Sequence, residues 1–157
     1  MARWASCWAR PSQLGHTLLD RERYVPQAWT NDRDRGRQAG IPEARRFATK
    51  PQLAQQMLAR ACAAGGPARW VTGDRMYGAD RRLRMGLETP PAACGLAVSG
   101  HAYVWADGQQ RPVKSLLATR PEEGWPRRRA GDGAKGPRWY DWRWQPLAAP
   151  LEPGWRR

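Results

Sequence analysis

The sequence contains few of the residues on which several protein classes depend. Among its 157 residues are three cysteines, two histidines, one phenylalanine and only the lysines Lys50, Lys114 and Lys135. The cysteines lie far apart without a Cys-x-x-Cys pair, so neither a zinc site nor a disulfide framework is indicated. No apolar run approaches the ~18 residues of a membrane span, and the first residues lack the apolar centre of a signal peptide. We therefore expect a soluble cytoplasmic protein that does not contact a membrane.

Arginine carries almost all of the positive charge. Lysine and arginine total 27 against 14 acidic residues, which gives a net charge of +13 and a pI near 11.1. Guanidinium groups match phosphate geometry and stack on flat rings, so an arginine-rich chain suits nucleic acid. GC-rich coding DNA, which raises arginine, alanine, glycine and proline together, is an equally good explanation of the composition.

The clearest predicted element is a helix from about residue 51 to 64. Pro51 is tolerated in a first helical turn because its missing N–H would have no partner there. Leu53 and Met57 lie four residues apart on one apolar stripe, and Gly65 supplies the stop. The stripe is expected to belong to the core.

A strand, an aspartate, a helix and a second strand follow in that order. Apolar runs predict strands at 69–73 and 92–100, a short helix at about 79–88 lies between them, and Asp74 follows the first strand directly. This order is typical of an α/β sheet, in which chemistry is placed at the carboxyl ends of the strands. Upstream, residues 15–26 predict a strand that ends in a charged turn.

The other segments have weaker patterns. Residues 1–13 read as an irregular start, and residues 27–50 are polar and interrupted by glycine and proline, which predicts a long surface connection. Residues 101–117 predict a hairpin whose turn is Asp107-Gly108. The run RWYDWRW at 138–144 suits a strand that is covered on both faces.

Four segments of the sequence carry a resemblance to a known family. They are GHTLLDRERYVPQAW, AGIPEARRFATKPQLAQQMLARACAAG, RWVTGDRMYGADRRLR and GPRWYDWRWQPL. Together they resemble bacterial insertion-sequence transposases of the DDE superfamily. The resemblance leaves out residues 1–14, covers 15–157 and is most specific in 41–77. It implies an α/β fold, with a partial ribonuclease H-like mixed sheet and flanking helices at 15–100. A β-rich, tryptophan-rich insertion region follows at 101–157 and is incomplete at its end.

The same resemblance implies a role for Asp74, which matches the second catalytic aspartate of the family. Such aspartates hold divalent metal, usually Mg²⁺, and paired ions activate a nucleophile and stabilise the leaving oxygen at a phosphodiester. The family's first aspartate lies upstream of the segment that matches here, while Asp20 corresponds to the end of a later strand. Glu152 does not lie on the helix that carries the family's glutamate. The resemblance thus implies truncation at both ends and one remaining catalytic acid.

Two arginine clusters are predicted to contact the DNA backbone through sequence-independent, salt-sensitive phosphate contacts. Their members are Arg81, Arg82, Arg84, Arg127, Arg128 and Arg129. A solvated charged face is the alternative interpretation of each cluster. The tryptophans between Trp139 and Trp144 could stack on unpaired bases. We favour a place for them in the core of the insertion region, which has few other large residues to bury.

Three functions remain open. The first is a transposase fragment, which resembles enzymes of metal-dependent DNA cleavage and strand transfer but is inactive alone. The second is a non-catalytic basic DNA-binding protein, or an inhibitor of a full-length transposase that competes for transposon ends and target DNA. The third is a chain that does not fold stably, because a sheet without its first strands would expose an unpaired edge. We expect the first.

Overall fold

A computed structural model describes residues 5–12, 14–66, 70–88, 93–106, 108–118 and 124–144. The strands of these residues are β1 (Ala5–Ser12), β2 (Gly15–Arg23), β3 (Trp70–Gly73), β4 (Ala93–Leu96), β5 (Tyr103–Ala106), β6 (Gln109–Pro112), β7 (Arg127–Gly133) and β8 (Gly136–Asp141). The helices are α1 (Gln27–Asn31), α2 (Arg33–Gln38), α3 (Lys50–Ala63), α4 (Arg75–Gly78), α5 (Arg81–Glu88) and α6 (Val113–Ala118). The chain is therefore mixed α/β, as the sequence predicts.

Two compact units make up the chain, Met1–Val98 and Ser99–Arg157. The first unit contains the antiparallel pair β1–β2 and the parallel pair β3–β4. The second contains two antiparallel hairpins, β5–β6 and β7–β8. Because β3 and β4 run parallel, the chain between them crosses over the sheet, and α4 and α5 form that crossover.

The core of the first unit lies between α3 and the parallel pair. Helix α3 begins at a capping box in which Thr49 accepts the N–H of Gln52 and the Gln52 side chain accepts the N–H of Thr49. Its apolar stripe is fully buried at Leu53 and Met57, each 1% exposed. Side chains of this kind each stabilise a fold by roughly 1.5–3 kcal/mol when they are buried.

One face of the parallel pair is covered. Val71 on β3 is buried against Leu58 of α3 and against Leu83 and Leu87 of α5. Alternate residues of a strand point to opposite faces, and Trp70, on the other face, is 67% exposed. The buried side chains of α3 and of β3 thus pack together on one side of the sheet.

Several predicted elements are confirmed by the structure. Helix α3 occupies the predicted segment at 51–64, and β3, α5 and β4 occur in the predicted order. The predicted hairpin forms as β5–β6, with Gly108 at φ 74° in its turn. Asp107 lies outside the described residues.

Three predictions about the remaining segments were wrong. Residues 5–12 form β1, whose pairing with β2 supplies order that the local pattern does not show. Residues 27–38 contain α1 and α2, and α2 begins where the Asp32 side chain accepts the N–H of Arg35 at 3.0 Å. The end of the predicted hairpin segment is helical, since α6 starts directly after Pro112.

No helix within the described ranges is both long and apolar enough to cross a membrane.

Candidate functional site

Asp74 lies at the carboxyl end of β3, one residue after the strand ends. It is the N-cap of the four-residue helix α4, and its Oδ1 accepts the backbone N–H of Met76 at 2.8 Å. The residue is exposed to solvent. A capping role therefore explains one carboxylate oxygen, while the side chain remains accessible to a ligand.

The turn around Asp74 requires the glycines that flank it. A Cβ on Gly73 would lie 2.9 Å from Leu96 Cδ2, and a Cβ on Gly78 would collide with the carbonyl oxygen of Ala97. Tyr77 packs against the apolar cluster of the first unit. The GDRMYG sequence thus fixes the backbone closely against β4, and the aspartate is held at a defined point of the sheet edge.

Two carboxylates of β2, Asp20 and Glu22, are engaged by arginine. Asp20 and Glu22 are two residues apart on β2, so their side chains share a face. Arg60 of α3 contacts Asp20 Oδ2 at 2.8 Å and Glu22 Oε1 at 2.9 Å. Arg45 contacts the second oxygen of Glu22 at 3.2 Å. This ion-pair network joins β2 to α3 and was not predicted from the sequence.

The network also changes the acidity of its members. Hydrogen bonds from the Arg60 side chain, and then from the backbone N–H of Arg21, lower the pKa of Asp20 below its ordinary value. The pKa of Arg60 is raised, chiefly by its hydrogen bond to Asp20. Asp20 is therefore ionised and paired in the folded chain, which makes it a structural anion.

The described residues do not fit a two-metal centre. They contain no group of three or more His, Cys, Asp or Glu side chains that could hold a metal ion. Asp74 alone offers one carboxylate, and one of its oxygens accepts the Met76 N–H. Paired metal ions in phosphodiester chemistry share several oxygen ligands. Glu152 lies outside the described residues.

The first predicted arginine cluster is divided by the structure. Arg81 and Arg82, at the start of α5, are exposed. Arg84 is only partly exposed, and its Nη1 donates to the carbonyl oxygen of Gly78. Arg84 therefore stabilises the turn that follows Asp74, while Arg81 and Arg82 are available to a polyanion.

The second predicted cluster lies on strand β7, where it divides between two faces. Arg127 and Arg129 are opposite Asp141 and Trp139 of β8, whereas Arg128 is opposite Tyr140 on the other face. Arg129 contacts Asp132 at 2.6 Å. All three arginines are exposed. Each cluster lies in a different compact unit.

The tryptophans on β8 and directly after it differ from the prediction. Trp139, Trp142 and Trp144 were expected in a small core, but they are 51%, 50% and 81% exposed. That prediction was wrong because β7 and β8 form a two-stranded sheet, which leaves both of its faces open among the described residues.

A comparison with protein families gives one match. The profile of the DDE superfamily endonuclease family matches residues 4–143, which is most of the chain. The chain belongs to the DDE superfamily endonuclease family. No curated protein and no solved structure matched it.

Membership of the DDE superfamily endonuclease family confirms the resemblance to DDE-type transposases. The matched residues include β3, the turn at Asp74 and both strands of the β7–β8 hairpin. They also include β1, although the sequence resemblance left residues 1–14 outside the family. Endonucleases of the DDE superfamily act on DNA. The substrate of the family is therefore a polyanion, which the exposed arginines suit by charge.

Proposed function

We propose that this chain is a transposase-type DNA-binding protein of the DDE superfamily that does not cleave DNA by itself. The observation that carries the proposal is the family match together with the exposed carboxylate of Asp74 at the end of β3, which belongs to no metal-binding group of three or more His, Cys, Asp or Glu among the described residues. In this proposal Asp74 is the second catalytic aspartate, and the first unit is part of a ribonuclease H-like fold. The parallel pair β3–β4 with its helical crossover supports that fold.

The proposed loss of cleavage follows from the available ligands. Magnesium, the metal we propose for the family's reaction, prefers a near-octahedral set of oxygen ligands. Asp20 and Glu22 are paired with Arg60 and Arg45 and do not accompany Asp74 in a group of metal ligands. One aspartate could help to hold a metal–phosphate complex, but by itself it would supply too few oxygen ligands for a two-metal centre. When Mg²⁺ is bound in a complete site, it supplies charge stabilisation and nucleophile activation at the phosphodiester.

DNA binding is proposed to rest on the exposed arginines. Arg81 and Arg82 on α5, and Arg127 and Arg128 on β7, present guanidinium groups to solvent. Such groups neutralise phosphates and release counterions without reading sequence. The expected partners are transposon ends and target DNA in the cytoplasm. Because the chain would bind these ends without cutting them, it could also inhibit a full-length transposase, either by competition or by co-assembly.

Cleavage is tested with supercoiled plasmid and Mg²⁺, comparing the wild type with Asp74→Asn. Asparagine caps a helix about as well as aspartate, so the variant removes the charge and keeps the turn. We expect the wild type and the variant to give the same background of nicked plasmid. Nicking by the wild type that disappears in Asp74→Asn would overturn the proposed inactivity, while the family assignment would stand.

Binding is tested by fluorescence anisotropy with a labelled duplex in increasing salt. The double variant Arg127→Ala/Arg128→Ala is compared with Arg33→Ala/Arg37→Ala, which removes the same charge from other exposed side chains. Arg33 donates to the Glu43 carbonyl and Arg37 pairs with Asp34, so both are already engaged. We expect the hairpin variant to reduce the slope of log affinity against log salt by about 1 per arginine. An equal reduction in both variants would show that only net charge matters.

A further inference from the structure

The hairpin formed by residues 124–144, which we call the aromatic hairpin, displays large rings on its surface. These are Trp139 at 51%, Tyr140 at 50%, Trp142 at 50% and Trp144 at 81% exposure. A two-stranded hairpin is at best marginally stable alone in water, and exposed aromatic surface of this extent marks a binding site. The question is which kind of ligand covers the rings.

The strand register places basic and aromatic side chains together on each face. On one face Arg128 is opposite Tyr140, whose ring centroid lies 6.4 Å from that of Trp142 with the planes at 83°. On the other face Arg129 is opposite Trp139, and its contact with Asp132 at 2.6 Å orients the guanidinium. Each face thus pairs a cation with at least one ring.

Charge selects a polyanion as the ligand. The aromatic hairpin carries six basic residues, Arg127, Arg128, Arg129, Lys135, Arg138 and Arg143, against the two acids Asp132 and Asp141. A neutral or basic partner surface would leave these cations near apolar contacts without compensation. A nucleic acid supplies phosphates for the arginines and flat bases for the rings.

The rings then distinguish between two forms of DNA. In a duplex the bases are stacked on one another, so their faces are not available to protein side chains, and arginine–phosphate contacts do not use the rings. In a single strand the base faces are free, and aromatic side chains stack on them without sequence preference. The rings of Tyr140 and Trp142 meet edge to face, with centroids 6.4 Å apart and planes at 83°, so each ring offers a face in its own direction to a separate unpaired base.

We propose that the aromatic hairpin is a binding site for single-stranded DNA. Tyr140 and Trp142 stack on unpaired bases, and Arg128 contacts the phosphate backbone on the same face. This inference rests on the proposed DNA binding and adds to it the form of DNA that the second unit recognises. Trp125, at the start of the aromatic hairpin, has the guanidinium of Arg143 at 6.0 Å from its ring centroid, so we assign it no base.

The test measures anisotropy of the full chain with oligo(dT) and with a duplex of the same length. The double variant Tyr140→Ala/Trp142→Ala is expected to bind oligo(dT) at least about tenfold more weakly, because each stacked base contributes substantially to affinity. Its duplex affinity should change by no more than about twofold, since the phosphate contacts are untouched. Far-UV circular dichroism establishes that the variant keeps the wild-type secondary structure.

Two matched variants sharpen the result. Tyr140→Phe/Trp142→Phe keeps a ring at each position and should retain most of the affinity for oligo(dT). Trp70→Ala removes a tryptophan of similar exposure from the first unit and should leave both affinities unchanged. Loss of oligo(dT) binding in Trp70→Ala as large as in the hairpin variant would overturn the assignment to the hairpin.

The other outcomes are equally decisive. If Tyr140→Ala/Trp142→Ala binds oligo(dT) and duplex with equally reduced affinity, or with unchanged affinity for both, stacking by Tyr140 and Trp142 is overturned. Duplex binding by the wild type, and with it the proposed function, would still stand. Wild-type self-association that the alanine variant abolishes, with oligo(dT) affinity unchanged, would show that the rings cover a second copy of the chain. Failure of the wild type to bind any DNA would refute the proposed function itself.

Discussion

The two compact units differ in how many apolar side chains they bury. In the described residues every buried hydrophobic side chain except Val104 belongs to the first unit, where α3 and α5 cover the parallel pair. In the second unit the exposed large hydrophobic residues include Tyr103 and four rings of the aromatic hairpin. Among the described residues, packing is therefore concentrated in the first unit, whereas exposed rings are clustered in the second.

Arginine is also used differently in the two units. In the first, Arg45 and Arg60 neutralise carboxylates of β2 and fasten α3 to that strand. In the second, Arg128 lies beside an exposed aromatic ring and no acidic residue is opposite it in the strand register. The high net charge thus includes arginines that neutralise carboxylates, such as Arg45 and Arg60, and exposed arginines, such as Arg128, that can contact a polyanion. The predictions below test this contrast.

The largest effect is expected from Leu87→Ala, which empties part of the core of the first unit. Leu87 is 1% exposed, and such truncations cost about 2–5 kcal/mol in the free energy of unfolding. Leu117→Ala in α6 of the second unit removes a side chain that is 49% exposed and should cost no more than about 0.5 kcal/mol. Urea denaturation followed by circular dichroism measures the free energy of unfolding of each variant. Similar losses in the two variants would contradict the proposed difference in packing between the units.

A second test concerns the close contact between the Asp74 turn and β4. Gly78→Ala places a methyl group against the Ala97 carbonyl, and we expect a loss of about 1–3 kcal/mol. Gly95→Ala is the matched control, because a Cβ at Gly95 meets nothing within 4 Å. The same denaturation experiment applies, and equal stability of the two variants would mean that the turn does not need its glycine.

A third test separates the capping role of Asp74 from its charge. Asp74→Ala removes the acceptor for the Met76 N–H and should cost about 1 kcal/mol, whereas Asp74→Asn should cost close to nothing. The thermal midpoint of unfolding measures the difference. A large loss in Asp74→Asn would show that the negative charge itself stabilises the turn.

The smallest effect is expected from Asp20→Asn and depends on pH. The pKa of Asp20 is lowered by its Arg60 hydrogen bond, so the folded chain binds a proton there less readily than the unfolded chain. The resulting stabilisation is present above about pH 4 and is lost as the pH falls through the lower, folded pKa. The wild type should therefore be more stable to unfolding than Asp20→Asn at neutral pH, and this difference in stability should disappear in acid. The difference is modest because solvent screens the pair.

Thermal unfolding from pH 7 down to pH 3 checks this prediction. Asp34→Asn is the control, since Asp34 and Arg37 form an ion pair whose side chains are 84% and 64% exposed. A difference between wild type and Asp20→Asn that stays constant over the whole pH range would contradict the proposed linkage.

Local patterns in the sequence predict the elements that local physics stabilises. The proline at 51 and the stripe of Leu53 and Met57 both act within α3, and the helix forms where they place it. The strand, aspartate and helix around Asp74 follow for the same reason. These elements are also the ones that place the candidate carboxylate at the end of the sheet.

What the sequence does not predict depends on contacts between distant residues. β1 forms because it pairs with β2, and Arg60 reaches Asp20 from forty residues away in the chain. The spacing of Asp20 and Glu22 places both on one strand face, but it does not name their partner. The exposure of the rings in the aromatic hairpin was not predicted, because large apolar residues normally indicate a core. Only the two-stranded pairing of β7 with β8 shows that both faces of this sheet are open.

The solvent-facing indoles have a consequence for spectroscopy. Trp70, Trp139, Trp142 and Trp144 are each at least half exposed in the folded chain, so their emission is already close to that of an indole in water. Melting of the leucine-rich interior would barely shift the wavelength of these four fluorophores. A quencher that binds the aromatic hairpin would reduce the emission of Trp139, Trp142 and Trp144 together. The fluorescence intensity of these residues therefore reports occupancy of the hairpin rather than folding.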